Sequence, residues 1–200
     1  MEGHGRWDQC HRQPRTERRN GMAEDFRGKL GGLEGEEFDA FLEGSYLARV
    51  ACLTPDGAPY VIPLWYQWDG DAMWFVGRQR AVWCEYMKAD PRVSLVVDAP
   101  HSEPDEMGRS VEIPKVIMQG MAEIVEEPNV GGHWVEVAKE MSYRYLGPNG
   151  PEYLTGTINQ PRWLIRVVPT EVMSWQGVGW ARRYWVEGTG GASYDEAHGR

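Results

Sequence analysis

Between Tyr46 and Ala99 apolar and polar positions alternate in short runs, and turn residues separate the runs. Tyr46–Leu53 is apolar and ends in Thr54-Pro55-Asp56-Gly57, where proline pre-sets one turn torsion and glycine accepts a positive φ. Ala58–Trp68, dense in branched and aromatic side chains, predicts a second strand. Asp69-Gly70 then predicts a hairpin into a third strand over Ala72–Gly77. The period changes at Arg80–Ala89, where Val82, Trp83, Tyr86 and Met87 recur at helical spacing until Asp90-Pro91 stops the helix. Alternation returns over Arg92–Ala99, with Val93, Leu95 and Val97 on one face.

The flanks carry the same punctuation. Glu36–Glu43 predicts a helix with Phe38, Phe41 and Leu42 as its apolar stripe and Gly44 as its C-terminal cap. His101–Ser110 reads as an exposed acidic loop. Lys115–Val125 predicts a strand in which Gly120 permits a close approach or a bulge, ended by Glu126-Glu127-Pro128. Trp134, Val137, Ala138, Met141 and Tyr145 predict a helix over Gly132–Leu146. A helical turn at Glu152–Leu154 and a long strand over Pro161–Met173 follow, then further rings over Trp175–Trp185. The pattern is that of a mainly β fold, six or more antiparallel strands with short flanking helices. One domain over residues 33–186 is expected. A leader over 1–32, without period, precedes it, and a Gly-rich tail over 187–200 follows. Met22 offers a second translation start.

Two hundred residues suit one domain with a real core, and 42% hydrophobic residues argue against disorder. Ten tryptophans are a heavy load: they read as filling of a barrel core, or as a dimer interface or ring-binding pocket as well. A formal charge of −9 argues against a general nucleic-acid binder, which would need a basic surface. No apolar run is long enough to span a membrane, and a soluble, cytoplasmic protein is expected. Cys10, Cys52 and Cys84 form no CxxC pair, and Cys52 and Cys84 read as small buried hydrophobes. His4, His11, His101, His133 and His198 are scattered without metal-ligand spacing. The hydrolase elbow, the Walker loop and the Rossmann fingerprint are all missing.

The order of these elements, with Asp56-Gly57-Ala58-Pro59, Pro63-Leu64-Trp65, Asp69-Gly70, Arg78-Gln79-Arg80 and Asp90-Pro91-Arg92-Val93-Ser94-Leu95, resembles the pyridoxamine-5′-phosphate-oxidase-like split barrels. That superfamily holds FMN-binding and deazaflavin (F420)-dependent oxidoreductases, and the resemblance covers roughly Phe38 to Tyr184. It implies a split β-barrel homodimer that transfers a hydride between its cofactor and a small organic substrate. The cofactor carries the chemistry, and the protein binds, orients and excludes water. By the same resemblance Pro63, Leu64 and Trp65 face the ring, while Gly77, Arg78 and Arg80 lie near the phosphate at a helix start. The alternative reading of Arg78 and Arg80 is as solvated helix-entry charges.

Two departures qualify the resemblance. Relatives place a cation where this chain has Val82-Trp83-Cys84, so Arg80 must hold the phosphate while the Trp83 ring stacks on the cofactor or covers the pocket. The Arg-x-x-x-x-Lys signature of true pyridoxamine-phosphate oxidases is absent from Ile62–Gln67, which argues against vitamin B6 oxidation. The Asp90–Leu95 segment and Asp98 look more like the deazaflavin branch, favouring F420 over FMN. A non-catalytic dimer that sequesters a flavin or a haem-like ring is the alternative.

Overall fold

The computed structural model describes residues 32–99 and 114–175. The expected leader apart from Gly32, the acidic loop His101–Ser110, the rings beyond Trp175 and the C-terminal tail lie outside these residues. The elements in chain order are α1 (Gly35–Leu42), β1 (Ala48–Leu53), β2 (Pro59–Leu64), β3 (Gln67–Trp68), β4 (Met73–Arg78) and α2 (Val82–Ala89). They continue with β5 (Arg92–Asp98), β6 (Lys115–Asn129), α3 (Trp134–Leu146), α4 (Glu152–Thr155) and β7 (Arg162–Trp175).

The strands form one seven-stranded sheet in the order β2-β1-β5-β6-β7-β4-β3, and every pairing is antiparallel. This order forces curvature. Strands β2 and β3 are the two edges, yet only Trp65 and Tyr66 separate them in sequence. Flat, seven strands at about 4.8 Å each would hold the edges about 29 Å apart. The link from Leu64 to Gln67 spans at most about 11 Å. The sheet therefore curls until its edges meet, giving a barrel split between β2 and the β4–β3 ribbon.

The inward faces fill the barrel with Val50, Phe75, Leu95, Met118, Ile165 and Val167, each 1% exposed or less. Helix α1 closes one end with Phe38, Phe41 and Leu42. A second cluster forms outside the barrel, where Trp134, Val137, Ala138 and Met141 of α3 meet Leu154 of α4 and Leu164 of β7. Residues Arg162–Ile165 are thus buried on both faces of the sheet, one against the barrel interior and one against the helices.

Gly57 and Gly70 take φ of 83° and 96°, the left-handed values their turns demand. Gly120 sits at a register shift in the β6–β7 ladder, and a β-carbon there would meet the Val168 carbonyl oxygen, so both expectations for it hold. Cys52 and Cys84 are buried free thiols, and burial raises the pKa of each.

Three expectations are corrected. The run Ala58–Trp68 is not one strand: it leaves the sheet at Trp65-Tyr66 and re-enters at the opposite edge. Tyr66 is fully buried and donates its backbone N–H to the Tyr145 hydroxyl at 3.3 Å, a tertiary tie that overrides local β preference. Gly44 does not adopt a left-handed cap. It is needed for space, because a β-carbon there would run into the Tyr46 ring. Strand β6 does not stop at Val125, since two further register shifts carry its pairing with β7 through Glu126 to Asn129.

Candidate cofactor-binding site

A cavity of about 620 Å³ lies at the split of the barrel, within the size range of small-molecule sites. One wall is β2 and the residue after it, with Ile62, Pro63, Leu64 and Trp65. The facing wall is the end of β4 and the start of α2, with Gly77, Arg78, Arg80 and Trp83. Met141 of α3, Tyr153 of α4 and Arg162 of β7 complete it. All seven residues expected from the sequence, Pro63, Leu64, Trp65, Gly77, Arg78, Arg80 and Trp83, line this one space.

Their surroundings differ. Arg78 and Arg80 are exposed at the end of β4 and in the turn before α2. No side chain caps that helix start, and Ala81, Val82 and Trp83 of its first turn line the cavity. An uncapped helix N-terminus flanked by guanidinium groups attracts an anion, because unpaired N–H groups and the helix dipole act in the same direction.

Trp83 is 5% exposed and belongs to the barrel core. Its ring packs against Gly77, so it contributes an edge to the cavity while its bulk fills the interior. Trp65 stacks one face on Tyr145, with centroids 4.8 Å apart and planes within 2°, and Tyr153 lies tilted at 6.1 Å. Tyr145 is itself fixed, because its hydroxyl donates to the Tyr46 carbonyl at 2.6 Å and accepts the Tyr66 N–H. Trp65 is therefore a held wall of the cavity.

Sequence reasoning missed Arg162. Only 8% of it is exposed, and its Nε has no hydrogen-bond partner. Its terminal amino group donates to Thr157 Oγ1 at 2.7 Å, and the guanidinium lies over the Trp134 ring at 5.4 Å. In the β4–β7 register Arg162 faces Arg78. Desolvation, then the Arg78 charge, pulls its pKa below the ordinary arginine value; it stays protonated at neutral pH. The one available signal was its setting, since no Asp or Glu occurs from Thr157 to Pro169. The described cavity lining thus holds three arginines and no carboxylate, in a chain of net charge −9.

Glu126 holds the helical side of the cavity in place. Its carboxylate accepts the backbone N–H of His133 at 2.8 Å and of Trp134 at 3.1 Å, capping α3 from the neighbouring strand. Among the described residues no cluster of His, Cys, Asp and Glu could hold a metal ion, and no helix is long and apolar enough to cross a membrane.

The sequence profile described as pyridoxamine 5′-phosphate oxidase matches residues 35–176. No curated protein matches the sequence. Among solved structures the chain is similar to a conserved hypothetical protein from Mycobacterium tuberculosis, with a TM-score of 0.59 and 24% identity over 74% of this chain and 88% of that one. It also resembles HutZ, the haem storage protein from Vibrio cholerae, with a TM-score of 0.52 and 17% identity over 71% of this chain and 94% of that one. An FAD-binding protein from Mesorhizobium loti gives a TM-score of 0.51 and 22% identity over 74% of this chain and 98% of that one. These likenesses establish the fold. With the profile spanning most of the chain, the protein belongs to the pyridoxamine 5′-phosphate oxidase family of split barrels.

Proposed function

We propose that the chain is a flavin-type oxidoreductase that binds F420, or else FMN, in the cavity at the barrel split. As a homodimer it would transfer a hydride between that cofactor and a small organic substrate. One observation carries this reading. An apolar cavity of suitable size is lined by three arginines, without a carboxylate among its described residues, beside an uncapped helix start. A planar ring with an ionised phosphate fits that lining: β2 and Trp65 give the ring apolar walls, and Arg80 with the first turn of α2 offers the phosphate a charged cradle.

When bound, the (deaza)flavin supplies the hydride chemistry. The chain's own residues position and shield it. Leu64 and Trp65 would set the plane of the ring, and Arg80 would fix its phosphate end. Met141 and Leu154 would keep water from that side. The guanidinium groups beside the α2 start suit the ionised phosphate of a flavin-type cofactor, which favours that ring over a haem. Ile62–Gln67 carries no cation, so vitamin B6 oxidation is not part of the proposal.

Fluorescence titration with F420 and with FMN at fixed ionic strength tests the reading. The parent chain should bind one of them saturably. Arg80→Ala should weaken that binding about 10- to 150-fold, the worth of a charge-assisted hydrogen bond. Absence of binding by both cofactors, or an Arg80→Ala variant that binds like the parent, would overturn it. Turnover of reduced cofactor separates an enzyme from a carrier, and light scattering should give twice the chain mass.

A further inference from the structure

The α2 start and Arg80 account for one anion, which leaves the Arg162–Arg78 pair unexplained. These residues face each other across β4 and β7, so their side chains share one face of the sheet. Like charges at such a position repel, and a cation as buried as Arg162 is costly to keep without a counter-charge. Among the described residues no carboxylate pairs with it. Thr157 Oγ1 takes one of its N–H groups and the Trp134 ring covers a face, while Nε is left without a partner. A hydrophobic residue of similar volume would suit the helix-covered face of β7 better if packing alone mattered.

We propose that Arg162 and Arg78 form a second anion subsite of this cavity, which binds a carboxylate or phosphate group of the substrate. The substrate class is thus an acidic small molecule, held by one end while the rest lies along the apolar wall of β2. The cavity-lining guanidinium of Arg162 and the exposed guanidinium of Arg78 are the donors, each a planar fork of the kind oxyanions accept. The assignment rests on the cofactor reading in one respect: the cofactor phosphate occupies the α2 start and leaves this pair free.

Inorganic phosphate is the probe, and the midpoint of thermal unfolding in saturating FMN or F420 is the readout. Phosphate should raise the midpoint of the parent chain, because a ligand that binds only the folded state stabilises it. Arg162→Gln should lose that response, its phosphate affinity falling about tenfold or more. Arg78→Gln, a change at an exposed position, should show the same loss and guards against a misfolded Arg162 variant. Each variant is read at its own saturating cofactor concentration, so a change in cofactor affinity does not enter the phosphate comparison. An equal phosphate response in parent and variants would overturn the proposal, as would a response that saturating cofactor abolishes. If neither cofactor binds the parent chain, the functional reading fails by itself, and the comparison is made on the cofactor-free protein, where a response lost in both variants supports the pair and an equal response overturns it.

Discussion

Cys84 of α2 places its sulfur in the space that a side chain on Gly77 of β4 would fill, and the Trp83 ring closes on the same point at 3.1 Å. The absence of a β-carbon at Gly77 is what lets α2 lie against the strand, and this contact sets where the helix start meets the cavity. Gly77→Ala should therefore destabilise the fold by about 1–3 kcal/mol, the cost of overpacking a core. Adding Cys84→Ala should recover much of that loss, since it removes the colliding atom. Denaturant unfolding of the two single variants and the double variant measures the coupling.

The family resemblance calls for a cation at Trp83, but the burial of this ring makes the exchange costly. A lysine there would lose the packing of a large ring and bring an ammonium group into the core. Trp83→Lys should lower stability by about 3–5 kcal/mol, the range for truncating a large buried aromatic. It should not tighten cofactor binding. Unfolding curves and a cofactor titration on the same sample decide both points.

Glu126 caps a helix from which it is separated by seven residues of chain. Glu126→Ala leaves the first N–H groups of α3 without that acceptor and should cost about 0.5–2 kcal/mol. Chemical denaturation measures the loss. Hydrogen exchange should show faster opening at His133 and Trp134 than elsewhere in α3.

Asp90 gives the fold a pH-dependent contribution. Its carboxylate accepts Arg92 Nε at 2.9 Å and a terminal amino group of Arg92 at 2.6 Å. The hydrogen bonds from Arg92 lower its pKa from 3.8 to about 2. A carboxyl depressed in the folded state stabilises fully above its unfolded value and loses that contribution as pH falls through the folded one. The midpoint difference between the parent and Asp90→Asn should be constant above about pH 5 and be lost as the pH falls through about 2. Thermal unfolding across that window checks the sign.

The elements were legible where local chemistry dictates them. Asp69-Gly70 makes a turn in almost any context, and Val93, Leu95 and Val97 alternate because one face of β5 is covered. The departure of the chain from the sheet at Trp65-Tyr66 was not legible, because its cause is a bond to Tyr145, 79 residues away. Arg162 escaped for the same reason. Its burial and its opposition to Arg78 exist only once β4 and β7 are in register and α3 lies over them. The seven residues named through the family resemblance line one cavity because β2, β4 and the start of α2 meet there. Arg162 joins them from β7, late in the chain.

The prolines of the edge strand β2 bear on how copies of this chain can join. Pro59 and Pro63 pair with Leu53 and Arg49 of β1, but neither can donate a ladder hydrogen bond, so their nitrogens belong on the open side of the strand. Positions 59, 61 and 63 share that side, leaving Val61 as its one remaining amide donor within β2. An edge so depleted cannot template another strand, which protects the barrel from sheet-to-sheet polymerisation. Assembly is left to side-chain faces, such as the half-exposed rings and branched chains of β2. Restoring both donors with Pro59→Thr and Pro63→Thr should turn a discrete oligomer into a ladder of larger species, which size-exclusion chromatography with light scattering would resolve.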